Sequence, residues 1–351
     1  MIKEITRKAL IVLGRNALLA LVFQKWRQRH VPIFMLHRIE DTENGVSGHD
    51  PELIRECLCF LKDRRYTFLS LSQLVEFINA GELPPKNSVV FTIDDGFYEQ
   101  ASIAVPIFEE FNCPVSIFII SEFSSNNKLP WDYQLEYIFN QVDSQYLAIN
   151  SDDICFSETI NNTNRAEVIQ YFRDALKTRD SQYANKITKS IAIDLGVKLT
   201  AGAPAGYRPI DWGFIRKCES NFVDFGPHTA NHSILSREEH CIMEREMIES
   251  WNTLKEQVKK PLDIFCYPTG RKGLDFASRE MRAARSIGFR GAVSTNPGYV
   301  DVIQDKEHLY SLKRFALPDN LGDFIQLCSW VELLKHKIRT LVVSYTVKIK
   351  R

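Results

Sequence analysis

From residue 31 onward, short apolar runs alternate with longer stretches of helical periodicity, and that rhythm constrains the fold more than any other property of the chain. Apolar runs at 31–36, 88–93, 115–120, 222–225, 263–267, 291–294 and 309–315 have the length and continuity of buried strands. Between them, 51–65, 71–80, 98–111, 237–259 and 274–287 repeat apolar residues at helical spacing. Parallel strands need a long crossover between them, so this alternation predicts an α/β fold with a mostly parallel sheet. The repeated unit is compatible with a closed or nearly closed (β/α) barrel, in which chemistry collects at the C-terminal ends of the strands.

Residues 124–206 break the rhythm. Stretches 131–142, 165–178 and 181–195 read as helices and 150–157 as a small hairpin, so this part is a largely helical insertion. It opens on Ser124-Ser125-Asn126-Asn127 and closes on Ala201-Gly202-Ala203-Pro204-Ala205-Gly206, both natural points for a chain to leave and rejoin a core. The chain thus divides into a basic amphipathic N-terminal segment (1–30), a barrel (31–320) carrying the insertion, and a C-terminal helix with a basic tail (321–351).

The apolar stretch 8–23 is interrupted at its centre by Gly14, Arg15 and Asn16, so it is not expected to span a bilayer. Gln24-Lys25-Trp26-Arg27 stands where a small-residue cleavage site would be needed, which argues against a cleaved signal peptide. Lys3, Arg7, Lys8, Lys25, Arg27 and Arg29 flank this segment, and 335–351 is also basic and apolar. Peripheral attachment to an anionic membrane surface and a helix packed on the domain are the two readings. The expected location is the cytoplasm or the cytoplasmic membrane surface, with export left open. The eight cysteines are scattered with no CxxC pair, which fits a reducing compartment. With 44 basic against 44 acidic residues, the chain has no global attraction for polyanions, and no aromatic and basic pattern points to nucleic acid. Nothing in the sequence sets an oligomeric state.

Two motifs carry chemistry. Phe91-Thr92-Ile93-Asp94-Asp95-Gly96-Phe97 places adjacent carboxylates at a strand end before a glycine that permits a sharp turn. Neighbours at a strand end face different ways, so one carboxylate can ligate a metal while the other faces a bound water. Alone, Asp-Asp-Gly is also a common turn. His228-Thr229-Ala230-Asn231-His232 follows another strand, and two histidines at i and i+4 in a helical turn project together. Alone, they could equally be a capping or surface pair. Taken together, the motifs offer two nitrogens and one oxygen with positions left for water and substrate.

With these residues in place, the sequence resembles the polysaccharide deacetylase family, the NodB-like carbohydrate esterases. Thr92-Ile93-Asp94-Asp95-Gly96 is similar to its T-F-D-D-G motif, and His228-Thr229-Ala230-Asn231-His232-Ser233 to its H-[ST]-x-x-H-[PS] motif, across a resemblance running from 31 to 315. It implies a distorted (β/α) barrel, Asp94 as catalytic base, and Asp95, His228 and His232 as ligands of one divalent ion. Zinc is the first expectation from that ligand set; cobalt, nickel and iron also fit it. It further implies hydrolysis of acetyl groups from a carbohydrate such as a cell-surface or exopolysaccharide rich in N-acetylhexosamine. A deacylase of a lipid-linked sugar and an inactive carbohydrate-binding relative are the alternatives.

Phe265-Cys266-Tyr267-Pro268-Thr269-Gly270 resembles the family's R-x-P-[YW]-G loop, with Cys266 where arginine is usual and Thr269 in place of the aromatic. The backbone N–H that stabilises the oxyanion there is indifferent to side chain, so Thr269 can supply it. The missing arginine leaves Asp94 without its usual partner unless Arg314 or Arg271 reaches in. No late histidine motif supplies the general acid, but His37 ends the first strand, beside the last in a barrel. This order resembles the poly-N-acetylglucosamine deacetylase branch and makes His37 the candidate acid, a structural histidine being the alternative. Arg208-Pro209-Ile210-Asp211-Trp212 reads as a helix start, and His30, His49, His240, His308 and His336 as solvated or capping residues.

Overall fold

The computed structural model describes residues 24–335 apart from 152, 153, 201 and 221. The apolar stretch 8–23 and the basic tail beyond 335, both singled out in the sequence, lie outside the described residues. No helix among the described residues is long and apolar enough to cross a membrane.

The apolar runs form seven barrel strands: β1 (Ile33–Leu36), β2 (Ser88–Ile93), β3 (Val115–Ile119), β4 (Val223–Pro227), β5 (Ile264–Cys266), β6 (Gly291–Val293) and β7 (Phe315–Ala316). They run in parallel in the order β7-β1-β2-β3-β4, with β5 and β6 as a second parallel pair. Isolated bonds close the seams: Leu262 N–H donates to the Phe225 carbonyl at 2.8 Å, and Ser294 N–H to the Leu312 carbonyl at 2.8 Å. The result is a distorted barrel within a mixed α/β fold.

Strand alternation explains what each layer holds. Val90, Phe118, Ile264, Cys266, Val293 and Leu312, contributed from around the ring, meet in the barrel interior. Phe34, Phe91, Ile117 and Phe225 point outward and pack with Ile54 and Leu58 of α1 (Pro51–Asp63) and Phe108 of α3 (Val105–Glu110). Each fully buried side chain of this kind contributes about 1.5–3 kcal/mol relative to exposure. The intervening helix, α2 (Leu71–Ala80), opens with a capping box between Ser70 and Gln73 and stops at left-handed Gly81 (φ 69°). Gly226 in β4 faces the interior; a Cβ there would lie 2.7 Å from the Phe118 ring.

The insertion has a core of its own. Its helices α4 (Trp131–Asn140), α5 (Arg165–Leu176) and α6 (Ser181–Asp194) enclose Leu135, Phe139, Phe172 and Ile191 with a hairpin of Ser144–Asn150 and Cys155–Asn161, wider than the sequence predicts. The chain returns through α7 (Trp212–Cys218), as the Arg208 to Trp212 motif predicts, and continues with α8 (His240–Gln257), α9 (Ser278–Ile287) and α10 (Leu321–Leu327).

Two local expectations are corrected. Residues 309–315 were expected as one strand, but Asp305–Ser311 is a 3-10 helix and only Phe315–Ala316 is strand. Leu309, inside the 3-10 helix, and Leu312, extended just after it (φ −58°, ψ 132°), both enter the same buried cluster. The helix expected at 98–111 contains a π turn, Gln100–Ala104, before α3. That turn brings the buried Gln100 amide to the His37 carbonyl at 2.6 Å and the Asp94 carbonyl at 2.5 Å, tying the ends of β1 and β2 together.

Candidate active site

At the C-terminal ends of the strands an open cleft of about 520 Å³ is lined by His37, Asp94, Asp95, His228, His232 and Thr269, the six residues singled out in the sequence. Their placement follows from strand parity and from backbone strain. Asp94 keeps the inward parity of Val90 and Thr92, whereas Asp95 takes φ 87° and swings its carboxylate to one side. Thr229 (φ 61°), His232 (φ 61°) and Thr269 (φ 56°) are also left-handed. Four non-glycine residues in this disfavoured region at one cleft, each costing on the order of 1–3 kcal/mol, indicate a geometry maintained for function.

The histidine pair is not on a helical turn as expected. Residues 228–232 form a loop, and His232 is left-handed. Outside bonds hold it: Ser121 and Glu122 N–H groups donate to the Thr229 and Ala230 carbonyls at 3.2 and 3.0 Å. Asn231 donates from its N–H and its amide to the two Glu246 carboxylate oxygens, each at 2.8 Å.

Asp95 Oδ1 lies 3.3 Å from His228 Nε2 and 3.4 Å from His232 Nε2. Four-coordinate zinc with bonds of about 2.1 Å sets neighbouring ligand atoms roughly 3.4 Å apart, so these spacings suit a shared ion. Asp95 Oδ1 is buried with no hydrogen-bond partner among the described residues, while Oδ2 accepts from Tyr133 Oη at 2.5 Å. His228 Nδ1 sits 2.8 Å from the Cys266 carbonyl, to which it donates, and this turns Nε2 toward Asp95 as the nitrogen free to ligate a metal. Burial opposes charge on both imidazoles, yet Cys266 and Asp95 raise His228 to about 10, and Asp132 and Asp95 raise His232 to about 9. Burial also opposes ionisation of Asp95, but the two imidazoles hold its pKa well below the usual carboxylate range. The pocket is therefore built to stabilise positive charge.

A second trio, Asp94, His228 and Cys266, also brings ligand atoms within 4.8 Å of one another. It is the poorer cation site, because the Arg314 guanidinium already occupies it. Arg314 is fully buried and binds Asp94 through two bonds of 2.7 Å, with further bonds to Thr92 Oγ1 (3.0 Å), the Ser294 carbonyl (2.9 Å) and Cys266 Sγ (3.3 Å). It thus stands beside Asp94 where the motif arginine is missing. Arg271, the other sequence candidate, is spent on Asp275 at 2.9 Å. Burial would raise the Asp94 pKa, but Arg314 overrides it and the carboxyl stays below its ordinary value.

His37 is half exposed on the rim, its Nε2 3.8 Å from Asp94 Oδ2. The Thr269 N–H makes no hydrogen bond among the described residues, and its carbonyl accepts from Thr295 Oγ1 at 2.6 Å. His30, His49 and His240 lie against Asp301, Asp319 and Glu244, and His308 sits in the 3-10 helix. Sequence reasoning missed Asp132, Tyr133, Glu136, Gln170, Arg173 and Lys177, which the insertion adds to the cleft wall. No local pattern marks them, since contacts across dozens of residues leave no periodic trace.

Residues 81–292, more than half of the chain, match the family described as polysaccharide deacetylase. The chain belongs to the polysaccharide deacetylase family. It is 26% identical over 136 residues to the poly-beta-1,6-N-acetyl-D-glucosamine N-deacetylase of Escherichia coli (strain K12), a match covering 38% of this chain and 20% of that protein. The chain therefore spans about a fifth of that relative's length. Among solved structures, the Streptococcus pyogenes deacetylase PplD in complex with acetate superposes with a TM-score of 0.56 at 18% identity, over 86% of this chain and 98% of that one. IcaB from Ammonifex degensii gives a TM-score of 0.55 at 13% identity, over 86% and 97%. At these identities the superpositions speak to the fold, that of the NodB-type deacetylases.

Proposed function

We propose that this member of the family is a metal-dependent carbohydrate N-deacetylase acting on N-acetylhexosamine units of a polysaccharide. The observation that carries the reading is the convergence of Asp95, His228 and His232 around one unpartnered carboxylate oxygen, beside an Asp94 held by a buried arginine. The sugar is suggested by the named activity of the Escherichia coli relative.

A divalent ion held by Asp95, His228 and His232, zinc by its ligand set, would supply Lewis acidity, polarising the acyl carbonyl and lowering the pKa of a water. Asp94, kept ionised and oriented by Arg314, accepts the proton of the attacking water. A carboxylate so stabilised is a weak base and passes the proton on readily, and His37 Nε2 stands 3.8 Å from Asp94 Oδ2 on the solvent side. His37 then protonates the departing nitrogen. The Thr269 N–H, fixed by its left-handed backbone, donates to the oxyanion of the tetrahedral intermediate. A binding module without turnover would gain nothing from burying an Asp94–Arg314 pair.

The test is acetate release from N-acetylglucosamine oligomers with and without chelator, on protein of known metal content. Activity should vanish with chelator and return with added zinc. Asp94→Asn should retain metal and lose turnover, and His228→Ala should lose metal. Full activity in Asp94→Asn, or in protein stripped of metal, would refute the reading.

A further inference from the structure

We propose that the insertion is a working part of the metal site, with Asp132 and Tyr133, in the first turn of α4, acting as positioning residues for His232 and Asp95. The inference rests on the metal reading above.

His232 has two ring edges. Nε2 faces Asp95 Oδ1 at 3.4 Å, and Nδ1 faces Asp132 Oδ1 at 3.5 Å. A carboxylate behind a ligating imidazole fixes its tautomer and ring orientation and raises its basicity. Asp132 and His232 are only 14% and 8% exposed, so the contact is shielded from water. Tyr133 Oη donates to Asp95 Oδ2 at 2.5 Å, which turns Oδ1 toward the two imidazoles. Two consecutive residues thus address two of the three ligands.

The helix carrying them is clamped. The Tyr133 ring meets Phe97 edge-on with centroids 4.7 Å apart, and Arg38 lies over the same Phe97 ring at 3.9 Å. Arg173 of α5 donates to the Asp132 carbonyl at 3.4 Å and to Glu136 at 2.5 Å, and Tyr207 Oη donates to Glu136 at 2.9 Å. A simpler role for Asp132, an acidic residue in the first turn of a helix, would stabilise α4 by about 0.3–1 kcal/mol and leave metal affinity alone.

The experiment measures Zn²⁺ affinity of the full chain by competition with a chromophoric chelator, alongside the unfolding temperature of metal-free protein. The proteins compared are the unsubstituted chain, Asp132→Asn, Asp132→Leu, Tyr133→Phe and His228→Ala. Tyr133→Phe removes a single oxygen atom and keeps the test usable where an Asp132 variant fails to fold. Tyr133→Phe and Asp132→Leu are expected to weaken Zn²⁺ binding about 10–100-fold, with Asp132→Asn, which keeps an acceptor but not the charge, affected less. If His228→Ala loses zinc while Tyr133→Phe and Asp132→Leu bind within about threefold of the unsubstituted chain, the insertion is only a wall and this inference falls alone. If His228→Ala binds zinc undiminished, the metal reading fails and takes this inference with it.

Discussion

Replacing Arg314 with methionine, which roughly keeps the length of the side chain and removes its charge, leaves Asp94 without its buried counterion. Arg314 makes five hydrogen bonds there and is completely buried. Breaking a buried pair from one side costs about 3–5 kcal/mol, mostly because the remaining charge is uncompensated. At about 2 °C per kcal/mol for a domain of this size, the unfolding temperature should fall by roughly 6–10 °C near pH 8. The arginine depresses the folded-state pKa of Asp94, so its stabilisation is present above the unfolded value and lost as pH falls through the folded one. The difference between variant and unsubstituted protein should therefore narrow toward acid pH. In the variant Asp94 is protonated more readily, and the acid limb of the kcat/KM profile should move to higher pH. Denaturant titration at several pH values and acetate release read both effects. Adding Asp94→Asn to Arg314→Met should recover stability, because it removes the stranded charge. If Arg314→Met unfolds within about 1 kcal/mol of the unsubstituted protein, or if the two substitutions simply add, the charge argument is wrong.

Asp224 sits near the opposite end of the barrel, where burial pushes its carboxyl up from 3.8 to about 6. A raised carboxyl favours the fold below pH 4 and loses that contribution as pH rises through about 6, so Asp224→Asn should gain stability relative to the unsubstituted protein between pH 4 and pH 8. The gain is at most about 3 kcal/mol, from about 1.4 kcal/mol per pH unit, and parallel urea titrations would measure it. Gly226→Ala forces a methyl to 2.7 Å from the Phe118 ring and should cost about 1–3 kcal/mol by thermal unfolding, whereas an unchanged transition would show that the ring moves aside freely. Cys266→Arg brings a second guanidinium beside Arg314, whose nitrogen lies 3.3 Å from the cysteine sulfur, and should destabilise by more than about 3 kcal/mol. Combined with Arg314→Met it should restore turnover above that of Arg314→Met alone, measured as kcat.

The strands were legible because burial on both faces writes a continuous apolar run, as Ser88–Ile93 does almost unbroken. The helix over Leu71–Ala80 was legible through its apolar period, and its cap and closing glycine bound it in the structure. The stretch 305–311 was not, since an apolar residue such as Leu309 reads equally as a strand or a 3-10 position until its packing selects one. The carboxylate and histidine pairs announce themselves because each is local in sequence. Arg314 could be named only as one of two arginines within reach, and Tyr133 carried no signal at all, because a bond between residues 38 positions apart depends on how the insertion docks.

The Arg314 pairing also bears on the order in which the molecule assembles. Asp94 lies in the first third of the chain and its counterion more than two hundred residues later, just ahead of β7. A chain emerging from the ribosome cannot neutralise that acid until its final barrel strand is made. Until then, water must keep access to the barrel mouth. A truncation just before residue 314, although it removes none of the carboxylates or histidines that line the cleft, would yield a shell unable to close over its own charge.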